Sequence, residues 1–202
     1  MAIKARRFTR HKKPRKEHTR EEVIAKWSGA EGIKRVFPNG QKSLGSDAER
    51  LLRYLCRYPV CEVGCGTGRV AGIFHHRQYI GIDINDDALA HARAALKRFD
   101  FRLIEWDDPF PEAETYLFYT VLLHIPDDEI ESMIAKTKRR VVVAEPMNRW
   151  IREYGMSSNF QRDPGEYREM FEDHGMVEKE LYHVHLPYFP YYINMVLYEN
   201  DK

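Results

Sequence analysis

The stretch Glu62-Val63-Gly64-Cys65-Gly66-Thr67-Gly68 constrains this chain more than any other. It follows an apolar run and shortly precedes Tyr79-Ile80-Gly81-Ile82-Asp83. Closely spaced glycines let the backbone take φ values that a Cβ forbids, and let a ligand approach the main chain. A strand, a glycine-rich turn, a helix and a second strand ending in an acid form a nucleotide-binding α/β unit. Asp83 lies about 20 residues past the start of the turn, where such units place a carboxylate for ribose. The glycines fall at 64, 66 and 68, so the pattern is G-x-G-x-G preceded by an acid, not the G-x-G-x-x-G of dinucleotide sites. The plain alternative is a turn that merely closes a strand-helix unit. The glycine density and the two flanking carboxylates weigh against it.

Strands and helices alternate around this unit. Residues 59–63 read as a first strand, 69–74 as the start of a helix and 79–84 as a second strand. Residues 88–99, rich in alanine, read as a helix capped by Asp86 or Asp87. Strands are expected at 101–105, 116–122 and 140–144, the second of them short of polar residues and so expected to be buried on both faces. Pro126-Asp127-Asp128-Glu129 opens a helix to about 136, with acids at the positive end of its dipole. Asp163 or Pro164 opens another, stopped by Gly175, and strands at 177–185 and 192–198 follow. Ahead of the motif, residues 20–27 predict a helix with Val23, Ile24 and Trp27 on one face. Residues 29–45, with four glycines and Pro38, predict a loop, and Ser46 or Asp47 caps a helix to about 58. The pattern predicts an α/β fold, a mostly parallel sheet with helices on both faces.

On Glu62 to Gly68 and on Asp83, the chain resembles the class I S-adenosylmethionine-dependent methyltransferases, and the likeness runs from about 51 to 199. The resemblance implies a Rossmann-like seven-stranded sheet whose last strand is antiparallel. It implies S-adenosyl-L-methionine as cofactor and S-adenosyl-L-homocysteine as product. Residues 19–202 are then one domain, with an N-terminal helical cap at 19–58 and a Rossmann-like core at 59–202. In the family, helices placed like those of the cap close over the cofactor. Glu62 is expected near the methionine amine, and the amides of Gly64, Cys65, Gly66 and Gly68 around its carboxylate. Asp83 is expected on the ribose, Ile84 and Trp106 against adenine, and Asp107 or Asp108 on the adenine amino group.

In an open parallel sheet, ligands collect beyond the carboxyl ends of the strands. His124 and Glu145 follow the fourth and fifth strands, and are the candidate bases for an acceptor hydroxyl or amine. Against those roles stand a pocket-shaping histidine and a helix-capping or ion-paired glutamate. Methyl transfer is an in-line displacement, so alignment of the partners is the main demand on the protein. Arg149, Trp150, Arg152 and Tyr154 are candidate lid residues. Tyr182, His183, His185, Tyr188, Phe189, Tyr191 and Tyr192 are candidate acceptor-pocket residues, at least half of them expected in the core instead.

The run Thr120-Val121-Leu122-Leu123-His124 lacks the N/D-P-P-Y/F motif used on exocyclic base amines. A small-molecule or saccharide acceptor, methylated at O or N, is therefore expected. Net charge is +1 over 202 residues, yet residues 1–20 hold nine Lys or Arg and one acid, Glu17. Residues 1–18 read as a basic, disordered leader, and residues 4–20 offer a nucleic-acid contact, which makes an RNA methyltransferase the alternative. A non-catalytic partner subunit that binds the cofactor is the second alternative. Glycine spacing disfavours an NAD oxidoreductase. No apolar run approaches the ~20 residues a spanning helix needs, so no membrane partner is expected. Cys56, Cys61 and Cys65 lack the paired spacing of a zinc site, no metal is expected, and reduced thiols point to a cytoplasmic protein.

Overall fold

The structure is a computed structural model and describes residues 19–36, 44–147, 162–185 and 192–200. The parallel strands are β1 (Val60–Val63), β2 (Tyr79–Asp83), β3 (Asp100–Leu103), β4 (Thr115–Tyr119) and β5 (Arg140–Glu145). An antiparallel hairpin, β6 (Met176–His185) and β7 (Tyr192–Asn200), completes one seven-stranded sheet of order β3-β2-β1-β4-β5-β7-β6. β7 runs antiparallel to both of its neighbours. This is the Rossmann-like sheet expected of the sequence.

The strands are apolar on both faces because helices cover both. Val60, Leu117, Tyr119, Val142 and Ala144 point to one side, where α3 (Ser46–Leu55) and α4 (Asp86–Ala95) pack with Leu52, Leu55, Leu89 and Ala92. Cys61, Val63, Phe118, Val141 and Val143 point to the other, toward α5 (Asp127–Ala135) and α6 (Pro164–Glu172). Ile130, Met133 and Ile134 supply the apolar stripe of α5. Phe171 of α6 stacks on Tyr198 at 4.1 Å. Strict alternation within β4 and β5 sets which side chains face which helix. α6 opens as expected, on Asp163 in a reciprocal capping box with Glu166 and with Pro164 at its first turn.

Four local expectations are corrected. Residues 69–74 form no α-helix; after the glycine turn comes a 3-10 turn at Ala71–Ile73. Its bonds run from Ala71 N–H to Gly68, Ile73 N–H to Val70 and Phe74 N–H to Ala71, all three residues back. This tighter winding rises about 2.0 Å per residue against about 1.5 Å for α-helix. It brings Phe74 onto the Tyr79 ring at 5.7 Å. Residues 29–36 are not loop, because Gly29–Val36 is a helix, α2, directly after α1 (Arg20–Trp27). α3 begins at Ser46 with Gly45 before it and no side-chain cap bond. The cap of α4 is Asn85, not Asp86 or Asp87: its side-chain oxygen accepts the Ala88 N–H at 3.1 Å.

Asn85 also ties the N-terminal helices to the sheet. Its amide donates to Trp27 O at 2.6 Å and Gly29 O at 3.1 Å, across the elbow between α1 and α2. The elbow is tight: a Cβ on Gly32 would come within 2.2 Å of Trp27 O and 2.9 Å of the Asn85 amide. Asn85→Ala removes one helix cap and leaves two carbonyls without this donor. We expect a loss of about 2 kcal/mol, seen as a lower urea midpoint at unchanged slope. Faster amide exchange in 20–36 than in β4 and β5 would mark the elbow as the element released.

Candidate active site

β1 is flanked by β2 and β4, and the chain leaves the sheet centre in opposite directions from this point. A crevice opens there at the carboxyl ends of the strands, as open α/β sheets require. It is a cavity of about 380 Å³ lined by residues from β1, β2 and β4, the turns after them, the segment after β3, and α1.

The glycine turn forms its floor. Gly64 and Cys65 both donate their N–H to Ile82 O, at 2.8 and 3.0 Å, so the turn is pinned to β2. Gly66 N–H donates to Asp83 Oδ2 at 2.7 Å, and Asn85 N–H to Asp83 Oδ1 at 2.9 Å. Gly64 has φ +69° and a Cβ there would strike Val121 at 2.6 Å, so this position needs glycine on two counts. Asp83 thus aligns the turn, and each of its oxygens keeps acceptor capacity toward the cavity. Burial holds its carboxyl above the usual range, opposed by the N–H bonds from Asn85, Gly66 and Ile84.

Glu62 reaches the same floor from β1. It is buried and accepts a hydrogen bond from the Tyr79 hydroxyl. Burial pushes its carboxyl up to about 8, against the Tyr79 bond and the positive charge of Arg69. Arg69, which lines the cavity and lies 4.8 Å over the Tyr119 ring, is a site residue that sequence reasoning missed. Its place directly after Gly68 was the available signal.

Of the expected cofactor residues, Glu62, Gly64, Cys65, Gly66, Asp83, Ile84 and Trp106 line one cavity. Gly68 does not; it packs behind the turn, where a Cβ would meet Phe101 at 2.9 Å. Asp107 and Asp108 also fall outside the lining. The Asp107 side chain is 79% exposed and pairs with Arg20 of α1, while Asp108 accepts the Glu105 N–H at 2.8 Å within its own turn. Trp106 turns inward instead, its indole N–H on Glu129 at 2.8 Å and the Arg20 guanidinium 5.5 Å from its ring. Val23 and Trp27 of α1 form part of the opposite wall. They were legible as a helix face but not as site residues.

The two candidate bases part company. His124 lines the cavity, its ring 4.3 Å from Trp27. Glu145 does not face the cavity. It is 1% exposed beneath the turn after β4, where Oε1 accepts the N–H of Val121 and of Leu122, each at 2.8 Å. Burial pushes it up to about 8, opposed by those bonds and by Arg162. Thr120, on the cavity wall, has φ +56°, which costs a β-branched residue about 1–3 kcal/mol. Tyr182, His183 and His185 lie on β6 and do not line the cavity; His183 hydrogen-bonds Asn194 and Tyr182 hydrogen-bonds Glu180. Tyr188, Phe189, Tyr191, the Tyr192 side chain, the candidate lid at 149–154 and the leader at 1–18 lie outside the described residues. Cys56, Cys61 and Cys65 are buried, unbridged thiols. Among the described residues, no helix is long and apolar enough to cross a membrane.

A sheet of this order, with a glycine turn and an acid at adjacent strand exits, is the Rossmann-like methyltransferase fold. Residues 60–142 match the family described as "Methyltransferase domain". That match and the fold together are what the resemblance to the class I S-adenosylmethionine-dependent methyltransferases rests on. Among solved structures it is similar to magnesium protoporphyrin IX methyltransferase from Synechocystis PCC 6803 with bound SAH. There the TM-score is 0.69 at 15% identity, covering 91% of this chain and 100% of that one. Human N-acetylserotonin methyltransferase in complex with SAM gives 0.58 at 15%, covering 90% and 56%. The complex between the Haloferax volcanii Trm112 methyltransferase activator and the putative methyltransferase gives 0.59 at 13%, covering 76% and 89%. No curated protein matches the sequence.

Glu62 and Glu145 give the fold a pH dependence of definite sign. Both carboxyls rise in the folded state from an ordinary 4.5 to about 8, so the folded chain holds their protons more tightly than the unfolded chain. Their stabilisation is complete below the ordinary value and is lost as pH rises through about 8. Urea midpoints should therefore fall between pH 5 and pH 8, and Glu62→Gln should flatten that slope. A midpoint rising across the same window in both proteins would contradict the assignment.

Proposed function

We propose that this cavity holds S-adenosylmethionine and that the chain transfers its methyl group to O or N of a small-molecule or saccharide acceptor. The supporting observation is the convergence of Glu62, the glycine turn, Asp83 and Trp106 on one volume of about 380 Å³. That donor set fits the cofactor. Asp83 offers two carboxylate oxygens to vicinal hydroxyls, with Gly66 and Asn85 already fixing their orientation. Ile84, Ile104 and Trp106 offer an apolar slot for a flat base. Glu62 offers a carboxylate to an ammonium group, and Arg69 a cation to a carboxylate. When bound, the cofactor supplies a methyl group activated by its sulfonium.

The protein's own contribution is alignment and exclusion of water. Val23 and Trp27 shield one side of the cavity and keep its dielectric low. His124, against Trp27, is the group placed to take a proton from an acceptor hydroxyl or amine. Glu145, engaged with main-chain N–H groups, is not. The strand-four exit, Thr120 to His124, carries no base-amine motif and supports this acceptor class over an exocyclic base amine. The magnesium protoporphyrin and N-acetylserotonin enzymes of the same fold, named for small molecules, agree with it. The RNA alternative, through residues 4–20, rests on the leader's charge, and the partner-subunit alternative predicts binding without turnover.

Calorimetry with S-adenosylhomocysteine tests the reading. Wild type should bind and, at pH 7, release roughly one proton, because an ammonium beside Glu62 favours its ionised form. Asp83→Ala should weaken binding at least tenfold. Binding of NAD but not S-adenosylhomocysteine would refute the cofactor. Transfer of a labelled methyl to RNA, and not to small molecules of a cell extract, would replace the acceptor.

A further inference from the structure

The turn from Thr120 to Ile125 supplies much of the cavity wall, with Thr120, Val121, Leu123, His124 and Ile125 all facing it. Two buried side chains, a carboxyl and a guanidinium, hold this turn from behind, and neither lines the cavity. Glu145, from the end of β5, accepts the N–H groups of Val121 and Leu122, each at 2.8 Å. Arg162, just ahead of α6, has a side chain that is 0% exposed. Its Nη1 donates to Leu122 O at 2.8 Å and its Nη2 to Ile125 O at 2.7 Å. Its Nε donates to Asp127 Oδ1 at 2.9 Å, the first residue of α5. Leu122 is therefore gripped through both of its backbone polar groups, its N–H by an acid and its carbonyl by a base.

Stability alone does not account for this arrangement. Buried polar clusters are often replaceable by apolar residues at no loss, because desolvation offsets their attraction. Geometry does account for it. The turn begins with Thr120 at φ +56°, a conformation its own sequence does not favour. Its 3-10 segment, Leu122–His124, is a single short turn without a side-chain cap. Main-chain groups that set the direction of Leu123 and His124 are thus fixed by long-range partners: Glu145 is 23 residues away from Leu122 and Arg162 is 40.

We propose that Glu145 and Arg162 are positioning residues, a two-sided clamp that sets the Leu122 peptide and thereby aims Leu123 and His124 into the ligand cavity. The clamp rests on the reading that this cavity binds the methyl donor. Its role is separable from folding because the planar, forked guanidinium reaches three acceptors that an ammonium on a shorter fork cannot. Its role is separable from charge at Glu145 because a neutral amide oxygen can still accept two N–H bonds.

The test compares Arg162→Lys, Glu145→Ala and Glu145→Gln in the full chain. Circular dichroism and urea denaturation first establish that each is folded. Calorimetry with S-adenosylhomocysteine then measures affinity, and amide exchange reads Val121 and Leu122 against Phe118 inside β4. Arg162→Lys and Glu145→Ala should bind at least tenfold more weakly and exchange Val121 and Leu122 at least tenfold faster, with Phe118 unchanged. Glu145→Gln should restore affinity to within about threefold of wild type. Folded variants that bind as wild type does, or whose turn amides exchange at the wild-type rate, overturn the clamp. If wild type itself fails to bind S-adenosylhomocysteine, the cofactor reading fails, and the exchange comparison still decides the clamp. A variant that does not fold is replaced by the double change Glu145→Gln with Arg162→Met, which removes both ionisable groups together and should show the same two losses.

Discussion

One carbonyl organises the ligand end of this molecule. Ile82 O receives the N–H of Gly64 and of Cys65, at 2.8 and 3.0 Å, just past the last paired residues of β1 and β2. The parallel ladder therefore does not stop at Val63 but passes its last bonds into the bend. Gly66 is then delivered to Asp83, and Asp83 is held by Asn85. Each later feature of the site, the carboxylate's direction, the start of α4 and the anchoring of α1 and α2, follows from that hand-over. A backbone bend held at three points by its neighbouring strand needs no ligand to keep its shape, which is the preorganisation a binding site requires.

Carboxyl groups in the same fold meet different fates according to what solvates them. Glu62 and Glu145 are both buried and both pushed up to about 8, yet one faces open volume and the other is engaged with main-chain N–H groups. Asp83, with a backbone N–H on each oxygen, is raised by burial but supported as an anion. Asp107, in water beside Arg20, is lowered by that hydrogen bond and charge. Position at a strand's end therefore does not by itself confer a role; the direction of the side chain decides whether the group meets ligand, backbone or solvent.

The sheet was legible because burial on both faces leaves a plain mark, as in Val141-Val142-Val143 and Tyr116 to Tyr119. The motif residues Glu62, Gly66 and Asp83 were legible because their spacing along the chain is itself the constraint. What escaped was anything settled by distant partners. The 69–74 segment sits where the α/β pattern calls for a helix, but the tight 3-10 route carries Phe74 onto Tyr79. Asp107 had the right position in sequence, yet a single-residue change in direction gave the inner place to Trp106. Glu145 and Arg162 act through backbone groups 23 and 40 residues away, and no local pattern records that. Asn85 outcompeted two aspartates for the helix cap because its amide alone can also donate to the carbonyls of Trp27 and Gly29.

That last contact bears on where this chain could be cut. A boundary at residue 58 separates cap from core on paper, but Val23 and Trp27 are walls of the same crevice as Glu62 and Asp83. A fragment starting at β1 would carry an open trough, with Ile84, Ile104, Trp106 and Ile125 bared to water and the Asn85 amide stripped of the Trp27 and Gly29 carbonyls. Such a trough is a sticky surface. Minimal versions of this protein, grafts of its motif or fusions at its amino end must therefore carry the first two helices along as part of the smallest heritable unit.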